Sequence, residues 1–166
     1  MAGKRADPER TALPRRADIR GARLAAAGRR LLRSVVRECG GMEATLWALS
    51  ATGKRLEAAL NVGATPEVVE RSSVPVADSV VGMVAATGIA AVIGPGHGHN
   101  TSVDRKTGTA TRAMAAAPVT VAGELAGVVS VINPKRGREF RASVLETLSW
   151  KAQLLGRLIA DRERRK

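Results

Sequence analysis

The chain has 166 residues, 45% hydrophobic and 25% charged, which is enough for one domain with a buried core and too balanced for wholesale disorder. Aromatics are 2% (one Phe, two Trp, no Tyr), so the core rests on Val, Ala and Leu, and little is available to stack on flat cofactors or bases. Of the net charge of +12, residues 1–37 supply +8 and residues 150–166 supply +4, so two basic terminal segments flank a neutral middle. Such segments read either as surfaces that face nucleic acid, anionic lipid or an acidic protein, or as solubilising tails in a chain whose codon bias favours Arg.

The N-terminus is charged from the start (Lys4, Arg5, Asp7, Glu9, Arg10), against a secretory signal, and no apolar run reaches the roughly 20 residues of a membrane span. The one cysteine, Cys39, excludes an intrachain disulfide and Cys-rich metal sites. These features lead us to expect a cytoplasmic protein without a membrane partner.

In chain order, residues 1–17 (Pro8, Pro14, mixed charge) show no periodicity and predict a flexible basic arm before one domain over 18–166. Asp18 to Cys39 reads as a helix, with Leu24, Leu31, Leu32, Val35, Val36 and Cys39 on one stripe. Arg30, Arg33 and Arg37 lie on another, Asp18 is a candidate cap, and Gly40-Gly41 is the stop. Strands follow at Glu43–Ser50 and Arg55–Val62 around a turn at Ala51-Thr52-Gly53-Lys54. Thr65–Glu70 predicts a short helix with Pro66 in its first turn, Ser73–Val76 an extended piece, and Asp78–Ala86 a helix with Val80, Val81 and Val84 inward. Ile89–Ile93 is a short strand.

The segment 94–112 is Gly-rich and polar and reads as a long loop. Ala113–Val121 and Glu124–Asn133 form a hairpin around Ala122-Gly123, residues 134–139 a basic connector, and 141–164 a final helix with Leu145, Leu148, Ala152, Leu155 and Ile159 at helical spacing. Val144, Leu154 and Leu158 widen that apolar surface, as for a helix with two partners. Tight turns between strands predict an antiparallel sheet with the terminal helices 18–39 and 141–164 on one face.

Three segments, in this order, resemble the GAF domain family. They are Asp78-Ser79-Val80-Val81-Gly82-Met83-Val84-Ala85-Ala86-Thr87-Gly88; Ala117-Pro118-Val119 with Gly123 and Gly127-Val128-Val129; and Asn133 followed by Phe140. With Trp47 and Gly53 upstream, the resemblance covers about residues 25–160. It implies an α+β fold: a six-stranded antiparallel sheet, both terminal helices on one face, and a ligand pocket on the other face under the helical and loop connection. It also implies a homodimer formed through those helices, and a small molecule held near Val80, Met83, Val92, Met114 and Val131.

Chemistry has little support in the residues. Family members that reduce methionine sulfoxide or attach bilins use pocket cysteines, whereas Cys39 lies on the apolar stripe of the first helix. A cyclic-nucleotide pattern of the family is broken at Val144, where an Asp is required. His97 and His99, two apart in Gly-Pro-Gly-His-Gly-His-Asn, are the one candidate pair for haem or a metal ion, but lack neighbouring ligands. No catalytic triad or phosphate-cradling loop is present. The expectation is a non-catalytic sensory or regulatory domain in signal transduction or transcription regulation, binding a small molecule or relaying a signal through its helices. Two alternatives remain at this point: a nucleic-acid-associated regulator using Arg30, Arg33, Arg37, Arg162, Arg164 and Arg165, and a structural dimer with a vestigial pocket.

Overall fold

The structure is a computed structural model that describes residue 19 and residues 22–165; the arm expected over 1–17 and the cap expected at Asp18 lie outside the described residues. Eleven elements follow: α1 (Ala22–Cys39), β1 (Gly41–Leu49), β2 (Arg55–Val62), α2 (Pro66–Val69), β3 (Ser73–Pro75), α3 (Val80–Thr87), β4 (Ala91–Ile93), α4 (Ser102–Thr107), β5 (Met114–Val121), β6 (Glu124–Pro134) and α5 (Val144–Glu163). The strands form one six-stranded sheet in the order β3-β2-β1-β6-β5-β4, with every pairing antiparallel.

Helices α1 and α5 pack on each other and on one face of the sheet, α1 over β1 and β2 and α5 over β5. The stripe read from α1 supplies buried Leu24, Leu32, Val35 and Cys39, and α5 supplies Leu148, Ala152, Leu155 and Ile159. These meet Leu46, Leu60, Val119, Val129 and Val131 from the strands in the larger of two apolar clusters. Lys151 of α5 pairs with Glu38 of α1 across the helix seam. Burial drives the Cys39 thiol up to about 11, with Glu38 adding to the rise and Lys151 opposing it, so the thiol stays protonated at neutral pH.

The opposite face carries the smaller cluster, in which Trp47, Leu56, Ala58 and Val128 meet Val81, Val84 and Ala85 of α3. A bulge sets this division on β2. Leu46 pairs with Leu60 but Trp47 pairs with Ala58, so Ala59 is the extra residue. Leu60 thereby stays on the helix side while Asn61 comes beside Thr45 on the other.

Two glycines are dictated by close approach. A Cβ on Gly82 would collide with the Val76 carbonyl, and one on Gly127 with the Trp47 carbonyl of the adjoining strand. Pro118 is tolerated because β4 pairs only with residues 114–116, leaving β5 with a single neighbour at that point.

The structure departs from the sequence reading in three places. The segment 94–112 is not one long loop but contains α4. The final helix starts at Val144 rather than residue 141, with Arg141 and Ala142 in the turn that leads into it. Thr65 precedes α2 without making a side-chain cap bond.

Candidate functional site

Helix α3 and the 94–112 segment close over the free face of the sheet. Helix α3 is fixed at its start by Ser79, whose Oγ accepts from the Gly82 N–H at 3.0 Å and whose hydroxyl donates to Pro75 O at 2.6 Å. It ends at Gly88, whose φ of 67° is the left-handed conformation that a helix stop of this kind requires. The 94–112 segment is tied down by Asp104. Its Oδ2 meets His99 Nε2 at 2.8 Å and accepts the Thr111 N–H at 2.9 Å, and its Oδ1 accepts the Thr111 hydroxyl at 2.8 Å. At the other end of the segment Asn133, itself at φ 55°, accepts the Arg112 N–H at 2.8 Å and donates to Ala110 O at 3.0 Å.

Between these elements and the sheet lies a cavity of about 50 Å³. A water needs about 10–15 Å³ on this measure, so the space holds a few waters, and a larger guest must displace the covering segment. The sheet contributes Glu43, Thr45, Trp47, Met114, Ser130 and Ile132 to its wall, and the cover contributes Val80, His99, Val103, Asp104 and Thr111 among others. Trp47 Nε1 donates to Ser130 Oγ at 2.9 Å, which fixes the indole in the floor. Asn61 Nδ2 donates to Thr45 Oγ1 at 2.8 Å, while Asn61 Oδ1 is buried with no hydrogen-bond partner.

The charges of the site are acidic. Burial pushes the Glu43 carboxyl above the usual carboxylate range; the Asn61 amide opposes this and the charge of Asp104 adds to it. For Asp104 burial also acts upward, but the Thr111 N–H, the His99 ring and the Thr111 hydroxyl together hold its carboxyl below the usual range. Among the described residues no hydroxyl is hydrogen-bonded to the His99 ring, and no group of three or more His, Cys, Asp or Glu is placed to hold a metal ion.

A family model for the GAF domain matches residues 23–159. The chain belongs to the GAF domain family. GAF domains are a family of sensory and regulatory small-molecule-binding domains. Among curated proteins, no sequence matches this GAF domain.

Solved structures do resemble it. The GAF-B domain of DevS from Mycobacterium smegmatis superposes with a TM-score of 0.67 at 20% identity, covering 85% of this chain and 97% of that one. A free methionine-R-sulfoxide reductase from Neisseria meningitidis, in complex with its substrate, gives 0.66 at 18% identity, over 86% of this chain and 80% of that one. A red/green cyanobacteriochrome in its red light-absorbing state gives 0.66 at 13% identity, over 85% and 96%. At these identities the likeness establishes the fold alone.

Of the five residues expected around a ligand, this GAF domain brings two to the cavity wall, Val80 and Met114. Val131 points the other way, into the core beneath α1 and α5, because side chains alternate along β6 and Ser130 and Ile132 take the cavity side. Val92 likewise packs against the helix-side cluster, and Met83 stands on the outer side of α3, 42% exposed. The two histidines are differently employed: His97 is exposed with Nδ1 2.9 Å from Gly98 O, while His99 turns inward to Asp104.

Arg30, Arg33 and Arg37 are exposed along α1, as are Arg164 and Arg165 beyond α5, whereas Arg162 is half-buried. Sequence reasoning missed Glu43, Thr45, Ser130, Asp104 and Thr111. For the first three the signal was present: strand parity places residues 43, 45 and 47, and 128, 130 and 132, opposite the helix-facing set.

Proposed function

We propose that this GAF domain is a non-catalytic sensory or regulatory module. In this reading a small molecule occupies the cavity between the sheet and the α3–α4 cover, and its arrival is passed through the sheet to the α1–α5 pair. The observation that carries the reading is the partly polar cavity on the sheet face opposite the paired helices, walled by Glu43, Thr45 and Ser130. Ordinary core has no need of these groups, and buried polar groups are costly unless they are satisfied.

A ligand changes an equilibrium only through its different affinity for two states. The cover is the element able to supply them, since a cavity of about 50 Å³ must open further to admit anything beyond the smallest guest. Output through a homodimer is supported by the outer side of α5, where Trp150 is 52% exposed and Leu154 and Leu158 are half-buried. The absence of catalysis is supported by the site itself. Among the described residues no hydroxyl is hydrogen-bonded to the His99 ring, and Cys39 is sealed under the helices with its proton retained.

Trp47 provides the test. In a Trp150→Phe variant its fluorescence is the sole indole emission, and it lies in the cavity wall. Screening metabolite mixtures should reveal compounds that shift this emission and raise the melting temperature, and Met114→Trp should abolish the thermal shift. A screen in which no compound moves either signal would contradict the proposal.

A further inference from the structure

The chain carries 27 Lys and Arg against 15 Asp and Glu, yet among the described residues no Lys or Arg lines the cavity. Its charged wall groups are the carboxylates of Glu43 and Asp104, with His99 already turned to Asp104. In a chain this basic, a lining that holds two carboxylates and no described Lys or Arg is not a by-product of composition.

Asp104 is saturated by His99 and Thr111, so its charge acts at a distance. Glu43 is different. Its carboxyl lies by Gly63 with the Asn61 amide as its polar neighbour and no basic partner among the described residues, and burial disfavours its charge. Thr45 Oγ1 and Ser130 Oγ already accept from Asn61 and Trp47 and each keeps an O–H to donate, while on the same side of the sheet the Oδ1 of Asn61 has no donor. An anion entering here would face two carboxylates. A neutral apolar guest would leave Glu43 buried without a counter-charge. A cation supplies the positive charge that would face Glu43, and its N–H groups can bond the carboxylate.

We propose that the cavity takes a small organic ammonium ion, its nitrogen directed to Glu43 and its short alkyl part against Val80, Val103 and Ile132. The inference rests on the ligand-binding reading above and names the class of ligand. The indole of Trp47 in the wall favours the same charge, since an aromatic ring attracts a nearby cation. The cavity volume sets the size at a few heavy atoms, or at the ammonium end of a longer molecule whose remainder displaces the cover.

The experiment titrates the full chain at constant ionic strength and pH 7.5 with propylammonium chloride, 1-propanol, sodium propionate and potassium chloride. Binding is read by calorimetry and by two-dimensional amide NMR. Propylammonium should saturate, shift the amides of Thr45 and Ser130, and bind at least tenfold more tightly than the other three. Glu43→Gln should reduce its affinity at least tenfold, to the level of 1-propanol. Glu43→Asp, which keeps the charge, should stay within a few-fold of the parent and replaces the Gln variant if circular dichroism shows that variant unfolded.

Equal affinity for propylammonium and 1-propanol, a preference for propionate, equal binding of potassium, or undiminished affinity in Glu43→Gln each overturns the ammonium assignment. If cavity amides still shift, or the Trp47 screen yields other compounds, the ligand-binding reading survives that loss. If neither happens, both fall together.

Discussion

Ala122 shows at a single residue how a local demand and a side chain can disagree. Ala122 and Gly123 join β5 to β6 with φ of 50° and 78°. Positive φ at both central residues is what a tight hairpin with the native twist requires, and Asn-Gly is the pair that meets it with least strain. An alanine there costs on the order of 1 kcal/mol, and its exposure means that nothing in the core offsets the strain. Ala122→Asn should therefore stabilise the domain by about 0.5–1 kcal/mol, raising the melting temperature by a few degrees in thermal unfolding.

The turn itself was legible from Ala122-Gly123, and the tight approach at Gly82 was legible from a glycine inside a helical pattern. Which face Val131 occupies was equally decidable, because Ser130 sits between two valines that serve the helix side. The resemblance implied a pocket position for Val131, whereas counting parity from Trp47 and Ser130 puts it on the helix side.

Among the elements, the terminal helices and the hairpin were readable because their apolar spacing is regular and their ends carry glycine or a turn. Helix α4 was not. Its six residues, Ser102 to Thr107, contain one apolar side chain, Val103, and none is fully buried, so no periodicity could announce it. What forms it is a set of polar contacts between residues 99 and 111 gathered on Asp104, and contacts of that kind leave no pattern in a sequence.

The same dependence makes the cover sensitive to acid. The folded-state carboxyl of Asp104 is held below its usual range, so its contribution is present above the unfolded-state value of about 3.9 and is lost as pH falls through the folded-state value. Amide exchange of residues 99–111 should accelerate below about pH 4, while β1 and β6 remain protected. Asp104→Asn should show the fast exchange already at pH 7. Equal protection of the segment in both proteins at pH 7 would mean that Asp104 does not hold the cover.

For the whole molecule, the sheet divides two kinds of chemistry. One side is a cluster of Val, Leu and Ala beneath α1 and α5, and the other mixes apolar side chains with carboxylates and hydroxyls under a cover whose 94–112 part is held mainly by polar contacts. Cooperative packing makes the first side rigid, whereas segments held mainly by polar contacts belong to the low-stability end of a fold, where ligand-responsive motion originates. Val129 and Val131 face the helices while Val128, Ser130 and Ile132 face away, so β6, like β1, touches both compartments. No helix among the described residues is long and apolar enough to cross a membrane.

The central claim is that events in the cavity reach the helix pair through the sheet. It is tested most directly by methyl NMR of Val and Leu in the full chain, with and without propylammonium or a compound recovered by the Trp47 screen. Filling the cavity should shift Val80 and Val128, and then Val129, Val131, Leu148 and Leu155 across the sheet. Saturation at Val80 with the Leu148 and Leu155 methyls unmoved would contradict it.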